Sequence, residues 1–234
     1  APESKIITIH NGVEILDEEF MPSGGLNQRF TSRRGNKSSG ENESKSLEGN
    51  KSDKVQIVFV GRLSDQKDPE KLIKAFFELS DPIKNMAEIK IIGDGPKREK
   101  LENIIKTNNL EDKVKLLGNL PRDQVFEELK KSDIFTLISH YEGFPRSILE
   151  AMSVGLPIIA SNVGGVSEAV SGENGFVVNR EDFIGLKDAL EKLILDDGMR
   201  ERLGIASHEK VVRDFSLEKM LEETEKVYNE VLGN

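Results

Sequence analysis

The sequence predicts an α/β fold: a Rossmann-like doubly wound parallel sheet with a helical C-terminal extension. Two observations support this class. From residue 55 onward, short apolar segments alternate regularly with amphipathic helical segments, and most connections between them are short. The apolar segments are nearly continuous in character, as in Val55-Gln-Ile-Val-Phe-Val60, which is typical of strands buried on both faces. From about residue 181 the pattern is helical only.

The elements follow in order along the chain. Predicted strands cover residues 6–9, 55–60, 89–92, 114–117, 134–138, 157–160 and 175–178. Predicted helices cover residues 68–79, 97–107, 122–131, 145–154, 166–170, 181–195, 198–214 and 217–232. Ser216 is expected to cap the last helix, although Lys219 replaces the acid of a complete capping box. The apolar stripe of that helix requires a partner surface.

Four regions result from this pattern. Residues 1–21 carry the first short strand, and residues 22–54 are predicted to be a flexible polar loop or linker. The latter stretch has too few apolar side chains to offset its ordering entropy. Residues 55–215 form the α/β domain, and residues 216–234 form the final helix. Because the chain begins Ala1-Pro2 without methionine, we expect it to be a piece of a longer protein.

Composition excludes several classes of function. The chain has no cysteine, which excludes disulfides and thiol catalysis. Its three histidines, His10, His140 and His208, lack metal-ligand spacing, so no metal site is predicted. A net charge of −9, no Trp and only two Tyr argue against nucleic acid as a partner. No apolar run is long enough for a membrane-spanning helix.

Candidate ligand-binding residues follow the predicted strands, because ligands of doubly wound sheets bind at the carboxyl ends of strands. Gly61, Arg62 and Lys67 follow the first core strand, and the two cations suit phosphate oxygens. They are equally compatible with an ordinary surface loop. Gly93 and Gly95 follow the next strand, either as a ligand-approach loop or as a simple turn before a helix.

The stretch Glu142-Gly-Phe-Pro-Arg-Ser-Ile-Leu-Glu150 is the most informative part of the sequence. Pro145 suits a first helical position, which places the amides of Gly143 and Phe144 near a positive helix end. Glu142 would face the crevice, or else be a solvated loop acid. Glu150 lies among apolar neighbours, so its carboxylate needs partners such as a ribose diol or a neighbouring loop. Glu168 is either a further crevice acid or a complement to a helix dipole.

Together these segments resemble the donor-binding, C-terminal half of a GT-B glycosyltransferase of the retaining family-4, or group 1, type. The resemblance covers roughly residues 55–232 and rests on an ordered set of motifs: Phe59-Val-Gly61-Arg62 with Lys67, Ile92-Gly-Asp-Gly-Pro96, Leu117-Gly118, Asp133-Ile-Phe-Thr-Leu, Glu142-Gly-Phe-Pro145, Leu149-Glu150-Ala151-Met152, Gly155-Leu-Pro157 and Asn174-Gly175. Residues 7–14 resemble the segment that ends the first domain of such enzymes, which makes residues 1–21 an interdomain segment and residues 216–234 a crossover helix.

The resemblance implies a role for each site residue. Arg62 and Lys67 would hold the diphosphate of a nucleotide-sugar, linked to UDP or GDP, and Glu150 would bind its ribose. Glu142, with the amides of Gly143 and Phe144, would hold the donor sugar. Catalysis is assigned to Glu142, Arg62 and Lys67, with no cofactor and no obligatory metal. The donor site as a whole would comprise Gly61, Arg62, Lys67, Gly93, Gly95, Leu117, Leu120, Glu142, Gly143, Phe144, Ser147 and Glu150.

The expected activity is transfer of a hexose-type sugar to a saccharide or lipid-linked acceptor, in the cytoplasm or at the cytoplasmic face of a membrane. Such enzymes often build polysaccharides, and the full-length enzyme would associate peripherally with membrane. The first domain is missing, so we expect this chain alone to bind nucleotide weakly and to transfer little or no sugar. Two alternatives stay open: a nucleotide-sugar epimerase of the same fold, and a non-catalytic nucleotide-sugar-binding module.

Overall fold

The computed structural model describes residues 7–15 and 54–232. Within them a six-stranded, fully parallel sheet has the strand order β3-β2-β1-β4-β5-β6. The strands are β1 Val55–Val60, β2 Ala87–Ile92, β3 Val114–Gly118, β4 Ile134–Leu137, β5 Ile158–Ser161 and β6 Gly175–Val178. The predicted doubly wound α/β fold is confirmed. The order of the strands reverses between β1 and β4, which is where such sheets bind ligands.

Helices cover both faces of the sheet. They are α1 Pro69–Phe77, α2 Asp81–Asn85, α3 Arg98–Thr107, α4 Arg122–Lys131, α5 Arg146–Ser153, α6 Val166–Ala169, α7 Phe183–Leu195, α8 Asp197–Asp214 and α9 Leu217–Leu232. The bounds of α4 and α9 match the prediction, and the others differ by one to three residues. Helix α2 was not predicted, because five residues are too few to show a helical period.

The core lies on both sides of the central strands. Ile57, Val58 and Phe59 of β1 are fully buried, as are Phe135 of β4 and Ile159 of β5. Burial of consecutive residues explains the nearly continuous apolar runs in the sequence, because neighbouring side chains of a strand point to opposite faces. The stable sheet fixes the positions of the loops at its carboxyl edge.

The predicted strand at residues 6–9 is wrong over its described part. Residues 7–12 have no regular secondary structure, and the segment instead makes one isolated parallel bridge, between Val13 and Ser216. Val13 donates to the carbonyl of Phe215 at 2.9 Å and accepts from the amide of Leu217 at 3.0 Å. A strand needs a backbone partner along its length, and among the described residues this segment forms backbone hydrogen bonds only at the junction of α8 and α9. The predicted linker at residues 22–54 lies outside the described residues except for Lys54.

The C-terminal helix α9 packs weakly on the domain. None of its residues is buried, and Leu221, Tyr228, Val231 and Leu232 are more than half exposed. The predicted cap is confirmed, since the Ser216 hydroxyl accepts from the amide of Lys219 at 3.2 Å. Within the described residues, no helix combines the length and the apolar character needed to cross a bilayer.

Candidate functional site

The loops that follow β1 and β4 are fastened to each other across the point where strand order reverses. The amide of His140 donates to the carbonyl of Gln66 at 2.7 Å, and the Gln66 side chain donates to the carbonyl of Tyr141 at 3.1 Å. The His140 ring also contacts the Asp68 carboxylate at 3.3 Å. Asp68 has a left-handed backbone, with φ of 35°, as the chain turns into α1. These contacts make the two loops one structural unit.

Lys67 and Glu142 form an ion pair at the centre of this unit, with 2.5 Å between Nζ and Oε1. Only 19% of the Lys67 side chain and 6% of the Glu142 side chain are exposed. The sequence suggested separate partners for these residues, but the structure brings them into direct contact. Each charge is therefore held by the other, because a buried ion needs a partner to offset its desolvation.

Arg62 has no charged partner among the described residues. Its side chain is exposed, and within residues 7–15 and 54–232 its guanidinium has neither an ion-pair nor a hydrogen-bond partner. Arg62 borders a cavity of about 440 Å³ at the carboxyl ends of β1, β2 and β3. The cavity is lined by Val60, Gly61, Arg62, Ile92, Gly93, Asp94, Asn119, Leu120 and Val125. Leu117, also predicted for the site, is 36% exposed on β3 but does not line this cavity.

Gly93 and Gly95 allow the loop after β2 to pack against the loop after β1. A Cβ atom on Gly93 would overlap the carbonyl oxygen of Gly61, and one on Gly95 would lie 2.5 Å from the carbonyl oxygen of Leu63. Gly93 also has a φ of +131°, which favours glycine. The turn and the ligand-approach interpretations coexist, because Gly93 both shapes the turn and lines the cavity.

Helix α5 begins directly after the Gly143–Phe144 turn. It starts at Arg146, with Pro145 at the N-cap, so the predicted first helical position of Pro145 is off by one residue. In the described part of the chain, the amides of Gly143 and Phe144 have no acceptor, and Ser147 is half-buried in the first helical turn. Free amides beside a helix N-terminus form a site suited to anionic or polar groups.

The Gly164–Gly165 loop packs against the backbone of the Gly143–Phe144 turn. The amide of Gly165 donates to the carbonyl of Gly143 at 2.9 Å. Gly164 has a φ of +49°, and a Cβ atom there would overlap the carbonyl oxygen of Glu142. Close approach of the two backbones therefore requires glycine. The loop leads into α6, which carries Glu168.

Glu150 is half-buried on α5, and no hydrogen bond or ion pair reaches its carboxylate from residues 7–15 or 54–232. Burial raises the pKa of Glu150 above its ordinary value, while the positive charges of Arg146 and Arg122 oppose that shift. A carboxylate that is partly desolvated and unpartnered is available for a ligand hydroxyl. The alternative role, capping a neighbouring loop, has no hydrogen bond to support it in the described residues.

His10 is a site residue that sequence reasoning missed. Its ring lies 5.2 Å from the ring of Phe144 and 5.6 Å from that of Phe215, and Phe144 and Phe215 are 5.2 Å apart. Its Nε2 atom is 2.5 Å from Oε2 of Glu168. Residue spacing gave no signal for this cluster. The only pointer was the resemblance of residues 7–14 to an interdomain segment.

Among the described residues, no group of three His, Asp or Glu side chains could hold a metal ion. The predicted independence from metals stays a prediction.

A doubly wound parallel sheet with cations and a cavity at the carboxyl ends of its strands is the kind of domain that binds ligands at that edge. Residues 41–210 match the family model described as glycosyl transferases group 1. The chain therefore belongs to the group 1 glycosyltransferase family.

Curated relatives agree with this assignment. The chain is 31% identical over 233 residues to the UDP-Gal:alpha-D-GlcNAc-diphosphoundecaprenol alpha-1,3-galactosyltransferase of Escherichia coli, covering 98% of this chain and 55% of that protein. It is 30% identical over 228 residues to an uncharacterised glycosyltransferase of Methanocaldococcus jannaschii, covering 97% and 54%. The chain spans about half the length of the curated relatives it matches.

Solved structures share the fold. A glycosyltransferase from Rickettsia africae matches with a TM-score of 0.75 at 22% identity, covering 99% of this chain and 59% of that one. Sucrose-phosphate synthase from Thermosynechococcus elongatus matches with a TM-score of 0.75 at 22% identity, covering 96% and 52%. These matches confirm the predicted GT-B type of fold.

Proposed function

We propose that this chain is the donor-binding part of a retaining, family-4 type glycosyltransferase. It would transfer a hexose-type sugar from a nucleoside-diphosphate sugar to a saccharide or lipid-linked acceptor. The observation that carries this proposal is the arrangement at the switch point. There Arg62, whose guanidinium has no partner among the described residues, borders the cavity at the ends of β1, β2 and β3, and the Lys67–Glu142 pair joins the β1 loop to the β4 loop.

The diphosphate is assigned to the cations that follow β1. An exposed, unpaired guanidinium can form two parallel hydrogen bonds to phosphate oxygens without breaking an existing ion pair. Lys67 adds a second positive charge whose position is fixed by Glu142. As the bond to the sugar breaks, negative charge grows on the leaving diphosphate. Preorganised cations and the free amides before α5 stabilise that charge.

The sugar and the ribose are assigned to the two acids. One oxygen of Glu142 binds Lys67, which leaves its second oxygen for a sugar hydroxyl beside the amides of Gly143 and Phe144. Glu150 offers the ribose a partly desolvated carboxylate with no competing partner in the described residues. A hydroxyl bound there restores hydrogen bonds that burial has removed.

The relatives favour glycosyl transfer over the epimerase alternative. The name of the Escherichia coli relative specifies a UDP-linked galactose and a diphosphoundecaprenol-linked acceptor. A structural neighbour from Anabaena was solved with UDP and glucose. We therefore propose a UDP- or GDP-linked donor and no obligatory metal. We also propose that the enzyme acts in the cytoplasm or at the cytoplasmic face of a membrane. This chain alone, without the first domain, is expected to transfer little or no sugar.

Calorimetric titration with UDP-, GDP- and ADP-glucose tests the binding role. We expect one of the three to bind this chain, and Arg62→Ala to weaken that binding roughly 10- to 100-fold, which corresponds to the loss of about 1.5–3 kcal/mol from a charge-assisted hydrogen bond. Thermal stability should be unchanged, because Arg62 has no partner in the described residues. Arg202→Ala, an exposed arginine on α8, is the matched control and should bind as the wild type does. Failure of all three nucleotide-sugars to bind would exclude the proposal.

A further inference from the structure

The segment at residues 7–15 contacts the domain at the α8–α9 junction, through His10, and through an ion pair between Glu14 and Arg122 of α4. Val13 is 4% exposed and exchanges backbone hydrogen bonds with the α8–α9 junction. Gly12 fits closely there, since a Cβ atom would lie 2.7 Å from the carbonyl oxygen of Ser216. The second attachment is His10, three residues earlier, which reaches a different part of the structure.

His10 connects the turn before α5 with helix α6. Its ring packs against Phe144, in the turn before α5, while its Nε2 atom contacts the carboxylate of Glu168 on α6. Helix α6 begins at the loop whose Gly165 amide binds the carbonyl of Gly143. The Gly143–Phe144 turn is therefore held by two contacts: His10 packs against the Phe144 ring, and the Gly165 amide binds the Gly143 carbonyl.

The partial exposure of the His10–Glu168 contact indicates that it positions the Gly143–Phe144 turn and does not stabilise the fold as a whole. The His10 side chain is 33% exposed and that of Glu168 is 52% exposed. A polar contact this open contributes little to global stability, because water competes for both partners. The ring contacts are geometrically specific, because aromatic pairs at such centroid distances prefer defined tilts. The effect of His10 should therefore be local to the turn.

We infer that His10 is a positioning residue for the sugar-binding turn, acting through Phe144 and Glu168. The assignment of the sugar to this turn rests on the proposed function, but the bracing of the turn does not. His10 does not touch the cavity that would take the nucleotide. Its loss should accordingly affect the sugar portion of a ligand and spare the nucleotide portion.

Two measurements on the full 234-residue chain test this inference. The first is calorimetric affinity for the best-binding member of the UDP-, GDP- and ADP-glucose panel, compared with the same nucleoside diphosphate without sugar. The second, made without ligand, is hydrogen exchange of the Gly165 amide, which reports the bond to Gly143. The variants are His10→Ala, His10→Phe, which retains a ring, and the control Asn11→Ala at an exposed neighbouring position.

We expect His10→Ala to weaken nucleotide-sugar binding by roughly tenfold, a change of about 1.4 kcal/mol, and to change nucleoside-diphosphate binding less than about twofold. Exchange at Gly165 should become faster, His10→Phe should restore part of both properties, and Asn11→Ala should match the wild type. Equal losses for both ligands, or unchanged Gly165 exchange, would overturn the inference. If the wild type bound no nucleotide, the proposed function would fail, and Gly165 exchange alone would decide whether His10 braces the turn.

Discussion

Replacing Glu150 with glutamine should stabilise the protein while weakening its binding of nucleotide. The change keeps the shape of the side chain and removes its charge. Burial raises the pKa of Glu150 because no group in the described residues compensates the half-buried carboxylate by hydrogen bonding. A fully buried polar group without partners costs about 1–3 kcal/mol. Partial exposure and the attraction of Arg146 and Arg122 reduce this cost, so we expect a gain of about 1 kcal/mol.

The pH dependence follows from the raised pKa. In the folded wild type, the cost of the charge is present above the pKa of Glu150 and disappears as pH falls through that pKa toward the ordinary value of 4.5. The stability advantage of Glu150→Gln should therefore be largest at pH 7 and vanish near pH 4. Urea unfolding at several pH values measures it. A 1 kcal/mol gain would raise the melting temperature of a chain this size by roughly 2–4 °C.

The same variant tests the ribose role. A neutral amide forms weaker hydrogen bonds than a carboxylate, by about 1 kcal/mol, so affinity for the nucleoside diphosphate should fall roughly five- to tenfold. Glu99→Gln, at an exposed position on α3, is the control for both measurements. Destabilisation of Glu150→Gln at pH 7 would mean that the carboxylate supports the fold, as in the loop-capping alternative. Unchanged affinity would refute its contact with ribose.

Two further predictions concern the scaffold. Gly164→Ala should lower the free energy of unfolding by about 2 kcal/mol or more, because the φ of Gly164 is +49° and a Cβ atom there would overlap the Glu142 carbonyl. Gly172 has open space around it, so Gly172→Ala is the control and should be neutral in the same denaturation assay. Glu70 is buried, which would raise its pKa, but bonds from Lys100 and Lys74 outweigh this and lower it to about 2. This lowering corresponds to a contribution of about 3 kcal/mol, which should be complete above pH 4.5 and lost as pH falls toward 2. A constant stability difference between wild type and Glu70→Gln from pH 7 to pH 2 would contradict it.

Periodicity was sufficient to predict the sheet and most helices, because consecutive buried residues and amphipathic stripes are local properties of the sequence. It missed α2, which is too short to show a period, and it placed a strand at residues 6–9, where an apolar run has no partner strand. The rule that ligands bind at strand ends directed attention to the loops that carry Lys67 and Glu142, and the structure places these two side chains in contact. Their direct pairing depends on side-chain reach between loops 75 residues apart, which no local pattern encodes. The position of His10 is even harder to predict from the sequence, because it is set by packing at the α8–α9 junction.

The contacts between the β1 loop and the β4 loop limit which substitutions this site can accept. One backbone hydrogen bond, a hydrogen bond from the Gln66 side chain and a buried ion pair join residues 66–68 to residues 140–142. The effect of a substitution in the β1 loop should therefore depend on which residues the β4 loop carries, and the reverse should also hold. The two loops are expected to covary among relatives. A chimera that takes its β1 loop from another enzyme would have to take the β4 loop from the same source.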